Sequence, residues 1–179
     1  MRVFASKGFF GAKVSDIADD AGVADGTIYL YFKSKDDLLI SLFEQQMLKI
    51  NEILSRSMEG VAAADDKLRL FIRAYMDLVS ANRHAAEVIT IELRTSAKFM
   101  KEYKNPRFAD FLKTLAHVID EGQKQGRFRE DIPAPIAARA LFGALDELAL
   151  MWVTGRTDRF DIRKVADWIG DLVLQGLVQ

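Results

Sequence analysis

The chain lacks cysteine entirely and holds only three prolines among its 179 residues. The absence of cysteine excludes disulfide bonds and thiolate metal sites, and it fits a protein that works in a reducing cytosol. No apolar run approaches the roughly 20 residues that a membrane-spanning helix requires. The opening residues, Met1-Arg-Val-Phe, are too few and too mixed to form a signal peptide. We therefore expect a cytoplasmic protein that does not contact a membrane.

Residues suited to catalysis are equally scarce. The two histidines, His84 and His117, have no Glu three residues before them and no second His at four-residue spacing, so neither a zincin nor a di-iron motif is present. There is no Gly-x-Ser-x-Gly turn and no glycine-rich phosphate loop. We predict no catalytic residue, no metal site and no cofactor, and we assign His84 and His117 no role. An enzyme is the least favoured function class.

Charge and hydrophobic content limit the remaining classes only loosely. The 25 basic and 26 acidic residues give a formal net charge of -1, which is low for a protein that binds nucleic acid. Whole-chain charge is a weak test, because affinity for DNA depends on the few cations that face phosphates. Hydrophobic residues make up 50% of the chain, enough for the core of one or two domains.

The apolar pattern predicts an all-α fold. No stretch alternates over the length of a strand, and the prolines at 106, 133 and 135 fall in predicted connectors. Ser34 is the predicted N-cap of a long helix that runs through Leu54. Further helices are predicted to begin at Asp65 or Asp66, to span Ala85 to about Ala97, and to run from Arg107 to Gly122, Ile136 to Val153 and Ile162 to Leu177. Because the helix from Ile136 is apolar on most sides, we expect it to be buried all round.

The most informative segment runs from Val14 to Leu39 and reads as two short helices around a tight turn. Apolar residues recur at helical spacing before the turn, at Ile17, Ala18 and Ala21. Gly22 supplies the turn, and the second helix has an apolar face made by Val23, Ile28 and Phe32. This is the pattern of a helix-turn-helix, whose second helix enters the major groove of DNA.

The same segment resembles the DNA-binding half of the tetracycline-repressor (TetR) family of bacterial transcription regulators. The resemblance is carried by Gly22-Val23, Gly26-Thr27-Ile28-Tyr29, Tyr31-Phe32-Lys33-Ser34-Lys35 and Leu38-Leu39. It implies a homodimeric regulator with a helix-turn-helix domain at residues 1–45 and an effector-binding and dimerisation domain at residues 46–179. The boundary is expected inside the long helix, near Leu42 to Met47.

Eight residues are predicted to contact double-stranded DNA: Lys13, Ser15, Gly26, Thr27, Tyr29, Tyr31, Lys33 and Lys35. Gly26 allows close approach of the backbone, and Thr27 offers a hydroxyl and a methyl group to base edges. The tyrosines and lysines suit sugar and phosphate. In the family, positions that match Thr27, Tyr29, Tyr31 and Lys35 commonly contact DNA. The competing interpretations are core packing for Tyr29 and an ordinary solvated surface for Ser15 and the lysines.

Two features depart from the family pattern. Ala12-Lys13 stands where family members usually have Thr or Ser before the first helix of the motif, so a hydroxyl cap is lost and a lysine is gained. In addition, the segment Met1 to Gly8 corresponds to only the second half of the family's first helix. The resemblance therefore implies further residues before Met1, which in the family often include a basic arm.

The remainder of the chain is rich in large apolar residues, which serve either as core or as a ligand pocket. Polar residues interrupt two apolar helices, at Glu92 and Arg94 and at Asp146-Glu147, and a buried carboxylate needs a partner or a ligand. The family resemblance favours a pocket for a hydrophobic effector. The predicted effector contacts are Phe71, Tyr75, Leu93, Arg94, Phe99, Phe111, Leu115, Phe142, Asp146 and Trp152.

A closer resemblance indicates the class of effector. Residues 23–33, 39–43, 91–94, 141–147 and 152–153 are similar to the branch of fatty-acid-degradation repressors that respond to long-chain acyl-CoA. For such a ligand, the acyl chain is expected among the Phe, Leu and Met side chains. The candidates for the CoA phosphates are Arg94, Lys98, Lys101 and Lys104.

The last helix carries an apolar stripe that predicts a dimer seam. Its predicted interface residues are Ile162, Val165, Ile169, Leu172, Val173 and Leu177. The preferred interpretation of the whole chain is a homodimeric repressor that a hydrophobic small molecule releases from its operator. The alternative from another class is a helical lipid-binding or carrier protein without DNA-binding function.

Overall fold

The computed structural model describes residues 1–155 and 160–178. In chain order the elements are α1 (Arg2–Gly11), α2 (Val14–Ala21), α3 (Asp25–Tyr31), α4 (Lys35–Ser57), α5 (Ala64–Ala81), α6 (Arg83–Glu87), a π-helical segment (Val88–Glu92), α7 (Leu93–Thr95), α8 (Ala97–Lys101), α9 (Pro106–Lys124), α10 (Ala134–Val153) and α11 (Ile162–Leu177). The described ranges contain no strand, and their β pairing is one isolated antiparallel bridge between Phe128 and Val178. The predicted all-α fold is confirmed.

Neither a membrane-spanning helix nor a metal-binding cluster is present in the part of the chain that the structure describes. Across residues 1–155 and 160–178, no helix combines the length and hydropathy that crossing a bilayer demands. In the same ranges, no three His, Cys, Asp or Glu side chains come together in a way that could hold a metal ion.

The chain divides into two compact units. The first comprises Met1–Gln46 and Asn82–Lys104, and the second comprises Met47–Ala81 and Asn105–Gln179. The division along α4 falls between Gln46 and Met47, and α4 itself is continuous. By packing, residues 82–104 therefore group with the N-terminal helices. The assignment of functions to residues 1–45 and 46–179 stays a prediction.

Local sequence explains the helix-turn-helix in the first unit. Gly22 ends α2 in the left-handed conformation, with φ 68°, and its N–H bonds to the carbonyls of Ala18 and Asp19. A glycine adopts this conformation without the steric cost that a Cβ would bring. The predicted cap of α4 is confirmed, because Ser34 Oγ accepts a hydrogen bond from the Asp37 amide at 3.1 Å.

The helix predicted from Ala85 to about Ala97 is observed as one helical run over residues 83–95, with a π-helical segment inside it. After α6 the backbone continues as the π-helical segment and α7, and Ser96 breaks the helix with ψ 115°. Ser96 is buried, and its Oγ accepts a hydrogen bond from the Phe99 amide at 3.1 Å, which caps α8. The predicted helix is therefore confirmed to within two residues at each end, and it ends at Ser96 because a serine side chain competes with the helix for backbone partners.

The second unit is built from α5, α9, α10, α11 and the end of α4. Helix α5 packs against α9, α10 and α11, and α10 packs against α9. Its most buried large side chains include Leu68, Phe71, Ile72, Phe111, Leu115 and Ile119. Two ion pairs at 2.6 Å, Arg69 with Asp171 and Arg73 with Asp167, join the polar edges of α5 and α11.

The expectation that the helix from Ile136 to Val153 is buried all round was wrong for a single protomer. Ile136 is exposed, and so are the small residues Ala140, Gly143 and Ala144 one and two turns further on. Helix α10 packs on α9 and α5 through one side, so the opposite side of an apolar helix remains uncovered. An uncovered apolar side of this kind is typical of a surface that meets another protein.

Candidate nucleic-acid interface and effector site

Helix α3 presents one open face. Its Ile28 and the following Phe32 are half-buried, and α3 packs against α2. Tyr29, Leu30 and Tyr31 are all exposed. The packed face positions the helix, and the exposed face is available to a macromolecule as large as a DNA duplex.

The two predicted base contacts lie in the first turn of α3. Gly26 is exposed and Thr27 is half-buried. A Cβ added to Gly26 would meet nothing within 4 Å, and the φ of Gly26 lies outside the left-handed region. Nothing inside the protein therefore requires a glycine at position 26, although glycine costs a helix about 1 kcal/mol relative to alanine.

The predicted phosphate contacts are placed unequally. Lys13 and Lys33 are exposed, and Ser15 is half-buried. Lys35 instead lies against the end of α1. Its Nζ donates to the carbonyl of Ala12 at 2.9 Å and to that of Phe10 at 3.3 Å. An ammonium at the C-terminal end of a helix stabilises that end, so Lys35 has a structural role whether or not it contacts DNA.

Acidic residues of α2 are neutralised by neighbouring cations. Lys7 Nζ lies 2.8 Å from Asp16 Oδ1, and Arg2 Nη2 lies 2.9 Å from Asp20 Oδ1. The hydrogen bond from Lys7, assisted by the backbone N–H of Lys13, lowers the pKa of Asp16 below its ordinary value. These pairs reduce the repulsion that the carboxylates of α2 would exert on nearby phosphates.

Glu92 finds its partner inside the protein. The Phe9 amide donates a hydrogen bond to Glu92 Oε2 at 2.5 Å, where α1 is kinked at Gly8. Gly8 has φ 69° and ψ 167°, and a Cβ there would lie 3.5 Å from Glu92 Oε2. The carboxylate that the sequence marked as needing a partner or a ligand is therefore satisfied by the backbone of α1.

Three polar contacts join residues 96–104 to α4. Ser96 Oγ donates to Asp36 Oδ1 at 2.5 Å, and Tyr103 Oη donates to Glu44 Oε1 at 2.5 Å. The third contact is an ion pair between Lys98 and Asp37. The hydrogen bond from Lys98 lowers the pKa of Asp37, and the same bond raises the pKa of Lys98.

These contacts, and the burial of neighbouring side chains, determine which of the predicted effector-binding residues in this part of the chain are accessible. Lys98, a candidate for the CoA phosphates, is already paired within the first unit. Phe99 is half-buried, with its ring centroid 5.1 Å from that of Phe43 on α4. Leu93 is buried in α7, whereas Arg94, Lys101 and Lys104 are exposed.

Most of the other predicted effector contacts meet in the second unit. Phe111 lies at the centre of an aromatic cluster, which we define as Phe71, Tyr75, Phe108, Phe111 and Phe142. The ring centroids of Phe108 and Phe142 lie 4.7 Å apart. Phe111 is fully buried, whereas Phe108 and Phe142 are half-buried, so the cluster reaches from the core to the surface of the unit.

Three further predicted contacts lie on α9 and α10. Leu115 is buried one turn after Phe111, and Asp146 and Trp152 are half-buried on α10. Asp146 is one turn after Phe142, so it lies on the same side of α10 as the aromatic cluster. The structure thus places Asp146 near the predicted ligand-binding side chains of its own unit.

An unpaired oxygen lies beside this cluster. Asn51 Oδ1, on α4, is buried and has no hydrogen-bond partner among the described residues, whereas Asn51 Nδ2 donates to the Arg107 carbonyl at 3.1 Å. Arg107 immediately precedes Phe108. A buried acceptor without a donor costs about 1–3 kcal/mol, which a ligand N–H would recover.

The predicted dimer seam is split between two surfaces. Ile162, Val165 and Leu177 are buried within one protomer, where α11 packs on α5. Leu172 is 66% exposed, and Ile169 and Val173 are half-buried. Because buried side chains cannot also face a second copy, the uncovered surface of α11 is centred on Leu172 and on Trp168, which is 54% exposed.

The predicted site residues did not include Leu30, Asn51, Phe108 or Trp168. The helical spacing of Phe108 and Phe111 on α9 was a usable signal for Phe108. The exposure of Leu30 and the missing partner of Asn51 could not be predicted from the sequence, because both depend on which neighbours the fold supplies.

The chain is similar to known regulators along nearly its whole length. Residues 1–42 match the family described as bacterial regulatory proteins, tetR family, and residues 43–176 match the family described as YsiA-like protein, C-terminal region. The fatty acid metabolism regulator protein of Bacillus subtilis (strain 168) is 33% identical over 177 residues, which cover 99% of this chain and 91% of the relative.

Two solved structures are similar in fold as well as in sequence. The crystal structure of the transcriptional regulator FadR from Bacillus subtilis in complex with stearoyl-CoA has a TM-score of 0.89 at 33% identity, covering 98% of this chain and 94% of that one. The fatty acid degradation regulator FadR from Bacillus halodurans also has a TM-score of 0.89, at 32% identity and with coverage of 98% and 94%.

Proposed function

The chain belongs to the TetR family of bacterial regulatory proteins, and we propose that it is a homodimeric transcriptional repressor that long-chain acyl-CoA releases from its operator. The observation that carries the proposal is the exposed face of α3. The helix is held through the half-buried Ile28 and the following Phe32, and it leaves Tyr29 to Tyr31 exposed. A lipid carrier would have no use for an exposed face on the second helix of a helix-turn-helix.

On DNA, α3 enters the major groove, with Gly26 allowing close approach and Thr27 meeting a base edge. Tyr29 and Tyr31 contact sugar and phosphate, as do Lys13, Ser15 and Lys33. For Lys35 we propose a contact through the one N–H that its bonds to Ala12 and Phe10 leave over. Two protomers place their α3 helices about 34–36 Å apart, on a near-palindromic site.

The dimer forms through the uncovered sides of α10 and α11. The small residues Ala140, Gly143 and Ala144 let a second copy approach closely, and Leu172 and Trp168 supply apolar area. Two such helices from each protomer make a four-helix bundle across a two-fold axis. Ile169 and Val173 lie at the edge of this seam, whereas Ile162, Val165 and Leu177 belong to the core of each protomer.

The effector is a long-chain acyl-CoA, as in the relative solved with stearoyl-CoA. The aromatic cluster and Leu115 bind the acyl chain, and Asn51 Oδ1 accepts a hydrogen bond from an amide N–H of the CoA arm. The cluster is apolar and half-open at Phe108 and Phe142, as entry of a hydrocarbon chain requires. We also propose that the effector is contacted by the other predicted residues, which are Leu93, Arg94, Phe99, Asp146 and Trp152. Its phosphates are bound by Lys101 and Lys104.

Release of DNA requires that the ligand bind the non-operator conformation more tightly. A difference of about 1–3 kcal/mol weakens operator binding some 5–150-fold. By reciprocity, operator DNA must weaken the binding of acyl-CoA by the same factor. The coupling is therefore measurable from either side.

The test begins with selection of duplexes by the full chain from a randomised pool. Stearoyl-CoA is then titrated calorimetrically into the protein with and without the selected duplex, and free CoA serves as the ligand control. We expect weaker binding of stearoyl-CoA when the duplex is present, and we expect Phe142→Ala to reduce stearoyl-CoA binding whereas the exposed variant Lys113→Ala does not. Equal affinities with and without duplex would exclude the repressor mechanism. Binding of stearoyl-CoA without selection of any duplex would favour the lipid carrier.

A further inference from the structure

Leu30 is unusually exposed for its position. It lies in the last turn of α3, one residue before its end, and is 81% exposed, more than Phe10 at 78%. A single exposed leucine carries little information on an ordinary surface. Here the side chain lies between two exposed tyrosines on the helix that belongs to the proposed DNA interface, so its surroundings on the bound protein would be bases.

The neighbour of Leu30 one turn earlier is Gly26. Side chains on a helix lean towards its N-terminus, so the Leu30 side chain leans towards Gly26. A Cβ at Gly26 would meet nothing within 4 Å, so no side chain, Leu30 included, packs on this position. This side of α3 therefore presents an exposed leucine and, one turn earlier, an uncovered glycine, and the two offer apolar contact without a hydrogen-bonding side chain.

We propose that Leu30 is a specificity-determining residue that reads thymine through its 5-methyl group in the major groove, an inference that rests on the proposed function. The thymine methyl is the apolar feature that the major groove presents, and a leucine can neither donate to nor accept from the polar base edges. A phosphate contact is excluded for the same reason. Thr27, half-buried one helical position from Gly26, is then left to hydrogen-bond a neighbouring base.

The expected effect follows from the burial of one methyl group. Removing that group from contact weakens binding about fourfold per half-site. A symmetric dimer makes the contact twice, so the combined loss is about fifteenfold. Because Leu30 touches nothing essential inside the protein, its replacement leaves the unfolding temperature unchanged.

The experiment removes the methyl group from the DNA and the leucine from the protein. Wild-type full chain selects a duplex from a randomised pool, and each symmetry-related pair of thymines in that duplex is replaced by uracil, which lacks only the 5-methyl group. Leu30→Ala, Leu30→Met and the control Leu48→Ala, on α4, are measured on the same duplexes. We expect one uracil pair to weaken the wild type about fifteenfold, with the same loss in Leu30→Met and Leu48→Ala and none in Leu30→Ala.

Two results would overturn the assignment while leaving DNA binding intact. One is a wild type that binds every uracil duplex as tightly as the thymine duplex. The other is a uracil effect of equal size in wild type and Leu30→Ala, which would place the methyl contact on another residue. If the wild type selects no duplex, the proposed function fails and the role of Leu30 fails with it.

Discussion

The Glu92 carboxylate and the Phe9 amide are joined by a hydrogen bond, Oε2 to N at 2.5 Å, across 83 residues of chain. The backbone of Gly8, with φ 69° and ψ 167°, breaks the helical geometry of α1 just before this amide. The carboxylate of the π-helical segment thus replaces a partner that the helix itself does not supply. Such a bond to a charged acceptor is stronger than one between neutral groups.

Replacement of Glu92 by alanine should loosen the second part of α1. The Phe9 amide would lose its acceptor in a part-buried position, which costs about 1–3 kcal/mol. We expect faster hydrogen exchange at the amides of residues 9 to 12 in Glu92→Ala and a smaller change in Glu92→Gln, which keeps an oxygen acceptor. The exposed variant Glu102→Ala is the control. Unchanged exchange in Glu92→Ala would contradict the capping role.

Gly8 and Gly26 should respond in opposite ways to alanine. Gly8→Ala forces an L side chain into a backbone conformation that costs about 1–3 kcal/mol, so its unfolding temperature should fall. Gly26→Ala has open space and a helical backbone, so its stability should stay the same or rise by up to about 1 kcal/mol. Its affinity for the selected duplex should nevertheless fall, because the added methyl group meets the DNA. Equal thermal shifts for the two variants would refute the distinction.

Alanine variants of Lys33 and Lys35 should distinguish a lysine that only contacts phosphate from one that also stabilises the fold. Lys33→Ala should reduce the slope of log affinity against log salt by about 0.9 per protomer without changing stability. Lys35→Ala removes the ammonium from the carbonyls of Ala12 and Phe10, so it should also lower the unfolding temperature. In both variants the affinity should fall alike for operator and scrambled duplexes. A Lys35→Ala protein of unchanged stability would show that its bonds to α1 contribute nothing.

Leu172→Glu should yield a folded monomer. Leu172 is exposed in the protomer, so a glutamate there is tolerated by the fold and disfavoured in an apolar seam. Leu174→Glu, two residues on, should instead unfold the second unit, because Leu174 is buried. Sedimentation together with circular dichroism distinguishes the two, and Lys164→Glu is the exposed control. An intact dimer of Leu172→Glu would place the seam elsewhere.

The ion pair between Lys67 and Glu121 should make stability depend on pH. The two groups lie 2.7 Å apart, and the hydrogen bond from Lys67 holds the pKa of Glu121 below its ordinary value. A lowered carboxyl pKa stabilises the fold above the unfolded-state pKa of about 4.3, and this contribution is lost as the pH falls through the folded-state pKa.

Lys67→Met should therefore lower the free energy of urea unfolding at pH 7 and have less effect at pH 3. The control is Lys113→Met, since Lys113 is largely exposed and lies 3.8 Å from Asp110. A cost of Lys67→Met that is the same at both pH values would mean that packing of the lysine stem, and not its charge, stabilises the unit.

Local features of this protein could be predicted from the sequence because they arise within a few residues of chain. The cap at Ser34, the left-handed turn at Gly22 and the helical period of α9 and α11 all depend on near neighbours. The same applies to the family resemblance at residues 22–39, which rests on an ordered local motif. These signals were sufficient to predict the fold class and to identify the helix that we propose faces DNA.

Long-range pairings could not be predicted in this way. The stripe on α11 showed that one side is apolar, but only packing on α5 decided that Ile162 lies inside the protomer and Leu172 outside. Likewise the sequence indicated that Glu92 needs a partner, and only the fold brought the Phe9 amide to it. Periodicity identifies which residues share a face of a helix. The partner of that face depends on contacts across dozens of residues, which form only when the whole chain is folded.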